Sequence, residues 1–209
     1  ISIIKEMGES TELFVKNPGK DFTRNRKLTF EYVINLLLSM GGNSIYRELL
    51  EYFKYDSKTA TSSAFVQQRG KILPSALEYL FKTFTNSFDK YKKFNGYRLL
   101  AADGSKFNIS HNPEDADTYT KCQDNAKGFN LIHLNALFDL CNKVYTDACI
   151  QPIRKANENS ALTDMVDRST ISGDVIVIAD RGYESYNTFA HMQEKGWKYV
   201  IRVKDKDST

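Results

Sequence analysis

Two aspartates stand where chemistry, rather than packing, would put them. Asp180 follows Val175-Ile-Val-Ile-Ala179, an unbroken apolar run, and precedes Arg181-Gly182-Tyr183. A run of that kind reads as a strand buried on both faces, at the centre of an α/β sheet. Asp103 follows a second apolar strand, Tyr97-Arg-Leu-Leu-Ala-Ala102, which the pattern ends at Asp103-Gly104. Ligands of open α/β sheets bind at such strand ends. The two acids lie far apart in sequence. If their strands lie side by side and parallel, both carboxylates reach one place, and a divalent cation relieves their repulsion. Mg²⁺ or Mn²⁺ suits oxygen ligands. Two such ions, roughly 3.5–4 Å apart, would activate an attacking oxygen and neutralise the leaving oxygen of a phosphodiester. A third carboxylate usually completes a two-metal site, and no third acid in the sequence sits convincingly at a matching sheet edge. Each aspartate also has a plainer reading, since Asp-Gly is a turn pair and Asp180 can cap the segment after it.

Other residues are candidates for contact with a polyanion. Arg181 could clamp a phosphate bidentately, or pair with a nearby acid. Tyr183 could stack on a base or serve as a helix staple. Arg202 and Lys204 end the last strand, where they could track a DNA backbone or simply be solvated. Gln67, Gln68 and Arg69 are side-chain types that read adenine and guanine edges. They lie on a helix after a loop of about 54–60, longer than the turn of about three or four residues in a helix-turn-helix, so a plain helical bundle fits as well. Lys90, Lys92 and Lys93, interleaved with Tyr91 and Phe94, could cover a phosphate run or end a helix. His133, inside an apolar strand, reads as a satisfied core histidine, and Glu158 as an acid favoured by a helix N-terminus.

The elements that must position these residues divide near residue 95. Residues 1–95 read as all-helical. The lead 1–22 is poorly structured or partly helical. Helices follow over about Thr23 or Asn25 to Met40, Ser44–Phe53, Thr61 or Ser62 to Gln68 or Gly70, and Pro74–Phe88. Residues 96–209 read as β-β-β-α-β-α-β: strands at 97–102, 129–139, 144–150, 174–179 and 197–204, with helices over about 157–169 and 185–195. The strands 129–139 and 144–150 form an antiparallel pair around Cys141-Asn142-Lys143. The fold class is therefore α/β, a mixed sheet flanked by helices and preceded by an all-helical N-terminal domain.

The 209 residues are 41% hydrophobic, ample for a packed core. No apolar run approaches the roughly 18–20 residues of a membrane span, and no signal peptide is visible. Cys122, Cys141 and Cys149 lack CxxC spacing and fit free thiols in a reducing cytoplasm. Residues 1–96 carry 15 Lys and Arg against 10 Asp and Glu, whereas 97–209 carry 14 against 16. A basic front and a mildly acidic rear suit a grip on a polyanion and on a cation, respectively. The first residue, Ile1, is not methionine, which reads as a fragment or trimmed chain.

The sequence resembles bacterial insertion-sequence transposases of the DDE class, family four. The resemblance lies in Leu99-Leu-Ala-Ala-Asp-Gly-Ser105, Asn130-Leu-Ile-His-Leu-Asn-Ala-Leu-Phe-Asp139, Asn157-Glu158, Ala179-Asp-Arg-Gly-Tyr183 and Gly196-Trp-Lys-Tyr-Val-Ile-Arg202. In the front half it lies in Asp21-Phe-Thr-Arg24 and Ser63-Ala-Phe-Val-Gln-Gln-Arg69. It implies an RNase H-like mixed sheet with Asp103 and Asp180 as the first two catalytic, metal-binding acids and a Mg²⁺ or Mn²⁺ two-metal site. It also implies binding of transposon ends and target DNA, strand cleavage and strand transfer, a homodimer in the synaptic complex, and a cytoplasmic, nucleoid-associated protein. The family's third acid, a glutamate in Tyr-x₂-Arg-x₃-Glu-x₆-Lys, lies downstream of the last strand. The sequence reaches Thr209 without that motif, so the expectation is two of three ligands and no activity of this chain alone. A structure-specific nuclease of the same fold, or a non-catalytic DNA-binding remnant that regulates transposition, are the alternatives. An aspartyl phosphatase is disfavoured, because Asp103-Gly-Ser105 lacks an acid two residues on.

Overall fold

A computed structural model of the chain describes residues 2–24, 26–88, 90–121 and 127–203; Asn25, Cys122 and Lys204 lie outside them. The chain forms two compact units, Ile1–Ser87 and Phe88–Thr209, so the Lys90–Phe94 stretch belongs to the second.

Among its described residues the first unit holds five α-helices, α1 (Ser2–Glu9), α2 (Phe30–Ser39), α3 (Ile45–Tyr52), α4 (Ser62–Arg69) and α5 (Pro74–Asn86), and a 3₁₀ turn over Thr11–Phe14. Local chemistry sets their starts. Thr29, Ser44 and Thr61 each accept a hydrogen bond from the backbone N–H three residues on, and Pro74 opens α5 without needing a donor. The lead is more ordered than its composition suggests. Ile4 and Met7 of α1, then Phe14 and Val15, are buried with Val33, Ile34 and Leu36 of α2. The helix expected from about residue 23 begins only at Phe30, because Thr29 supplies the cap, and Tyr32 points outward at 47% exposure. Phe65 is fully buried, the kind of side chain whose burial is worth about 1.5–3 kcal/mol. Phe65 and Gln68 are three residues apart and share the inner face of α4.

The second unit is a mixed six-stranded sheet with helices. Its strands are β1 (Arg98–Ile109), β2 (Tyr119–Thr120), β3 (Phe129–Asp139), β4 (Val144–Pro152), β5 (Val175–Ala179) and β6 (Lys198–Ile201). The order is β2-β3-β1-β5-β6, with β4 also paired to β3. β3 lies antiparallel to β1, β2 and β4, whereas β1, β5 and β6 run parallel. The β3–β4 hairpin closes through Lys143, whose φ is +55°, as its turn requires. Helix α6 (Glu158–Arg168) starts at Asn157, which caps the Ser160 N–H, and α7 (Tyr186–Glu194) joins β5 to β6. Leu162, Met165 and Val166 of α6 and Met192 of α7 share a core with Leu100, Leu137, Val175 and Val177 of the sheet, and with Trp197.

One difference from the sequence reading matters for the site. β1 does not stop at Asp103. It continues to Ile109 because β3 pairs with it from Leu100↔Asp139 to Ile109↔Asn130. Residues 105–109 are exposed and polar enough to read as loop, so only the partner strand reveals them as β. β1 is anchored at its other end by Arg98, whose guanidinium meets buried Asp139 at 2.9 Å and lies 3.7 Å above the Tyr91 ring.

α6 and α7 are also joined by His191, whose Nδ1 is 2.9 Å from Asp167. That hydrogen bond raises the imidazole pKa above its ordinary 6.5. The contact therefore stabilises the fold fully below about pH 6.5 and is lost as pH climbs through the higher folded-state value. In an NMR titration the His191 ring resonance should have its midpoint above 6.5, and Asp167→Asn should bring it back; a midpoint unmoved by that change contradicts the assignment.

Candidate active site

The parallel register of β1 and β5 runs from Arg98↔Val175 to Ala102↔Ala179. Asp103 is the next residue of β1 and Asp180 the first residue after β5, so the register delivers the two acids to the same end of adjacent strands, which lie about 4.8 Å apart up to that point. Here the strands part. β5 leaves the sheet into a single 3₁₀ turn, Arg181–Tyr183, while β1 continues beside β3. Both aspartates are exposed. Each commits one oxygen locally: Asp103 Oδ1 accepts from the Gly104 N–H at 2.8 Å, and Asp180 Oδ1 from the Gly182 N–H at 2.7 Å. The capping read from the sequence is therefore real at Asp180, whereas at Asp103, inside β1, no turn forms and the hydrogen bond is a contact within the strand. Each bond occupies only Oδ1, and among the described residues Oδ2 of each acid has no hydrogen-bond partner. A depression of about 570 Å³ beside Asp180 is lined by Arg181, Gly182 and Glu184.

Behind the aspartates lies a polar wall that sequence reasoning did not assemble. His133, on β3, is 4% exposed, and its Nε2 stands 3.3 Å from Glu158 Oε1 at the start of α6. Its Nδ1 is 3.5 Å from Asn135 Nδ2, and Asn135 reaches Gln151 on β4 at 3.3 Å. Gln151 Oε1 also accepts from the Asn157 N–H at 3.0 Å, tying the wall to the cap of α6. The glycines make room for it. A Cβ on Gly104 would stand 2.8 Å from the His133 ring, so that position on β1 excludes a side chain. A Cβ on Gly182 would stand 3.0 Å from Asp180 Oδ1 and 3.4 Å from Glu158 Oε2.

Tyr183 completes the wall. Its ring is 2% exposed within the sheet core, and its hydroxyl has no hydrogen-bond partner among the described residues. Burial, and then the charges of Glu158, Asp103 and Asp180, push its pKa well above the usual tyrosine range. The phenol therefore stays protonated, as a donor. An unmet buried donor costs about 1–3 kcal/mol.

This burial corrects the expectation that Tyr183 stacks on a base, because a ring enclosed in the core has no open face. Gln68 is corrected likewise. It is 7% exposed, and its Oε1 accepts from Lys71, so it is not free to read a base edge. Gln67 and Arg69, on the outer side of α4, are exposed. Arg181 is exposed in the 3₁₀ turn, and Arg202 is exposed just past β6. Lys204 lies outside the described residues. Buried His133 agrees with its reading as a core histidine, with Glu158 as the partner that the sequence could not show.

Among the described residues, no three or more His, Cys, Asp or Glu side chains are grouped to hold a metal ion. A two-carboxylate, oxygen-only donor pair nevertheless fits Mg²⁺, which is commonly held by one or two carboxylates, with water and substrate phosphate filling the rest. Among the described residues, no helix is long and apolar enough to cross a membrane.

Residues 94–209, which contain the whole sheet and both acids, match the family described as transposase DDE domain. The chain belongs to that family. No curated protein sequence matches this transposase domain chain. Among solved structures it is similar to a chain of the simian T-cell lymphotropic virus intasome in complex with PP2A regulatory subunit B56 gamma, at 12% identity and a TM-score of 0.32, covering 76% of this chain and 52% of that one. It is also similar to a chain of the Mos1 transposase paired-end complex with left transposon end, at 12% identity and a TM-score of 0.30, covering 95% of this chain and 66% of that one. The transposase chain thus spans about half of the first neighbour's length and just under two thirds of the second's.

Proposed function

We propose that this chain is part of a DNA transposase of insertion-sequence family four, with an RNase H-like core in which Asp103 and Asp180 hold Mg²⁺ or Mn²⁺. The observation that carries the reading is the β1–β5 register, which brings two acids from distant parts of the sequence to adjacent strands. A bound divalent cation would supply Lewis acidity at a DNA phosphodiester. The protein's part is to fix two carboxylate oxygens beside that phosphate and to hold it with Arg181, and Arg202 extends the same basic contact. The helical unit is proposed to grip the transposon ends. Lys20, Arg24, Arg26 and Lys71 line a cavity of about 470 Å³ there, and Gln67 and Arg69 are exposed on α4. Such contacts to phosphate give salt-dependent affinity before any base is read. The work of the full-length protein is cut-and-paste transposition by a homodimer that pairs two ends, with a downstream glutamate as third acid.

The test is an assay of the full-length transposase with a DNA end bearing a free 3′-hydroxyl, target DNA and Mg²⁺. Joined product is expected. Hydrolysis without joining would replace this reading with the nuclease one. DNA binding with neither product would leave a regulatory, non-catalytic protein.

A further inference from the structure

Three carboxylates and one phenol converge from separate parts of the chain. Asp103 comes from β1, Glu158 from the first residue of α6, Asp180 from the cap of the 3₁₀ turn and Tyr183 from its end. The Tyr183 hydroxyl, on the residue after Gly182, is a buried donor with no hydrogen-bond partner among the described residues, and the charges of Glu158, Asp103 and Asp180 add to burial in raising its pKa. Glu158 differs, with a side chain 40% exposed. His133, its own ring pinned between Gly104 and Asn135, holds Oε1 at 3.3 Å, which leaves Oε2 turned toward Gly182. Asp180 Oδ1 approaches the same point, since a Cβ on Gly182 would touch both oxygens, so the two border one small space. A buried donor without an acceptor and a partly exposed carboxylate oxygen thus lie beside both aspartates.

We propose that the Tyr183 hydroxyl and Glu158 Oε2 form a positioning pair behind Asp103 and Asp180, which together hold a water that arrives with the divalent cation. Tyr183 donates to the oxygen of that water, and Glu158 accepts one of its hydrogens. Neither side chain touches the cation; both fix its position through the water. His133 keeps Glu158 in place, and the phenol's missing partner is the water itself. Packing alone explains neither feature, because a phenylalanine would fill the Tyr183 site without an unmet donor, and a carboxylate in the first turn of a helix needs no buried histidine. This inference rests on the reading of Asp103 and Asp180 as the cation site.

The test is titration of the 209-residue chain with Mn²⁺, followed by the electron paramagnetic resonance of the free ion, alongside melting curves without metal. The unaltered chain should bind Mn²⁺, and Asp180→Asn should lose that binding. Glu158→Gln and Tyr183→Phe should each weaken it on the order of tenfold or more, as removal of residues behind metal ligands does. Without metal, Glu158→Gln should melt with the parent, and Tyr183→Phe at or above it, since it loses only an unpaired hydroxyl. If Asp180→Asn loses Mn²⁺ while the other two bind like the parent, or only one of them weakens, the pair is refuted and the cation site stands. If either variant melts lower in step with its lost affinity, the role is packing and the pair is again refuted. If the parent fails to bind, or Asp180→Asn binds as the parent does, the cation site falls and the pair with it.

Discussion

Asparagine at Asp103 or Asp180 is expected to lower cation-dependent strand cleavage by the full-length transposase at least about 10²–10³-fold, the scale on which removal of a preorganised charge-stabilising group acts, while DNA binding is retained. Asparagine keeps the oxygen that accepts from the Gly104 or Gly182 N–H, so both local hydrogen bonds survive. Both side chains are exposed, and their replacement should change stability by no more than about 0.5 kcal/mol. Only the negative charge offered to the cation goes. Because the two acids are proposed to act on one ligand, the double variant should be little worse than either single one. Cleavage within tenfold of the parent for either single variant would remove these residues from the chemistry.

The largest effect on stability is expected at Asp139, well away from that chemistry. Asp139 is fully buried at the end of β3. Its Oδ2 accepts from Arg98 at 2.9 Å, and its Oδ1 accepts from the Cys141 and Asn142 backbone N–H groups and from Asn142 Nδ2. Asn142 in turn bonds the Lys92 backbone through both its amide oxygen and nitrogen. Asp139→Ala strands a buried guanidinium and several turn donors at once. Breaking a buried pair from one side costs about 3–5 kcal/mol. Urea unfolding of the chain should register a loss of that size. A loss below about 1 kcal/mol would show that Arg98, already stacked on Tyr91, finds a new partner or reaches water.

These expectations drew on the sequence unevenly. Val175–Ala179 was legible because a strand covered on both faces is apolar without interruption, and its parallel neighbour could be guessed from the same pattern. The β3–β4 hairpin was legible from two strand-like runs around Cys141-Asn142-Lys143. The far half of β1 was not, because Ser105–Ile109 has no buried face and owes its conformation to pairing with β3. α1 was hidden by its brevity and by Gly8, and only tertiary packing of Ile4 and Met7 reveals it. Gln68 could have been placed inward, since it follows Phe65 by three on a helix. The wall of the site could not be assembled. His133 and Glu158 lie on separate elements and meet only because α6 folds back over β3, and nothing in one sequence ties Tyr183 to either.

The continuation of β1 past Asp103 has one more consequence. Asp103 is clamped in a ladder on both its leading and trailing sides, whereas Asp180 hangs from one short turn closed by its own cap. The two acids therefore sit on supports of unequal stiffness, one a fixed jaw and the other a sprung one. Amide protons around residues 101–107 should exchange with solvent far more slowly than those of 181–184. If the two acids hold a cation as proposed, adjustment to a phosphate or to a change of ion size falls on the Asp180 jaw, with Asp103 as the datum against which that movement is measured.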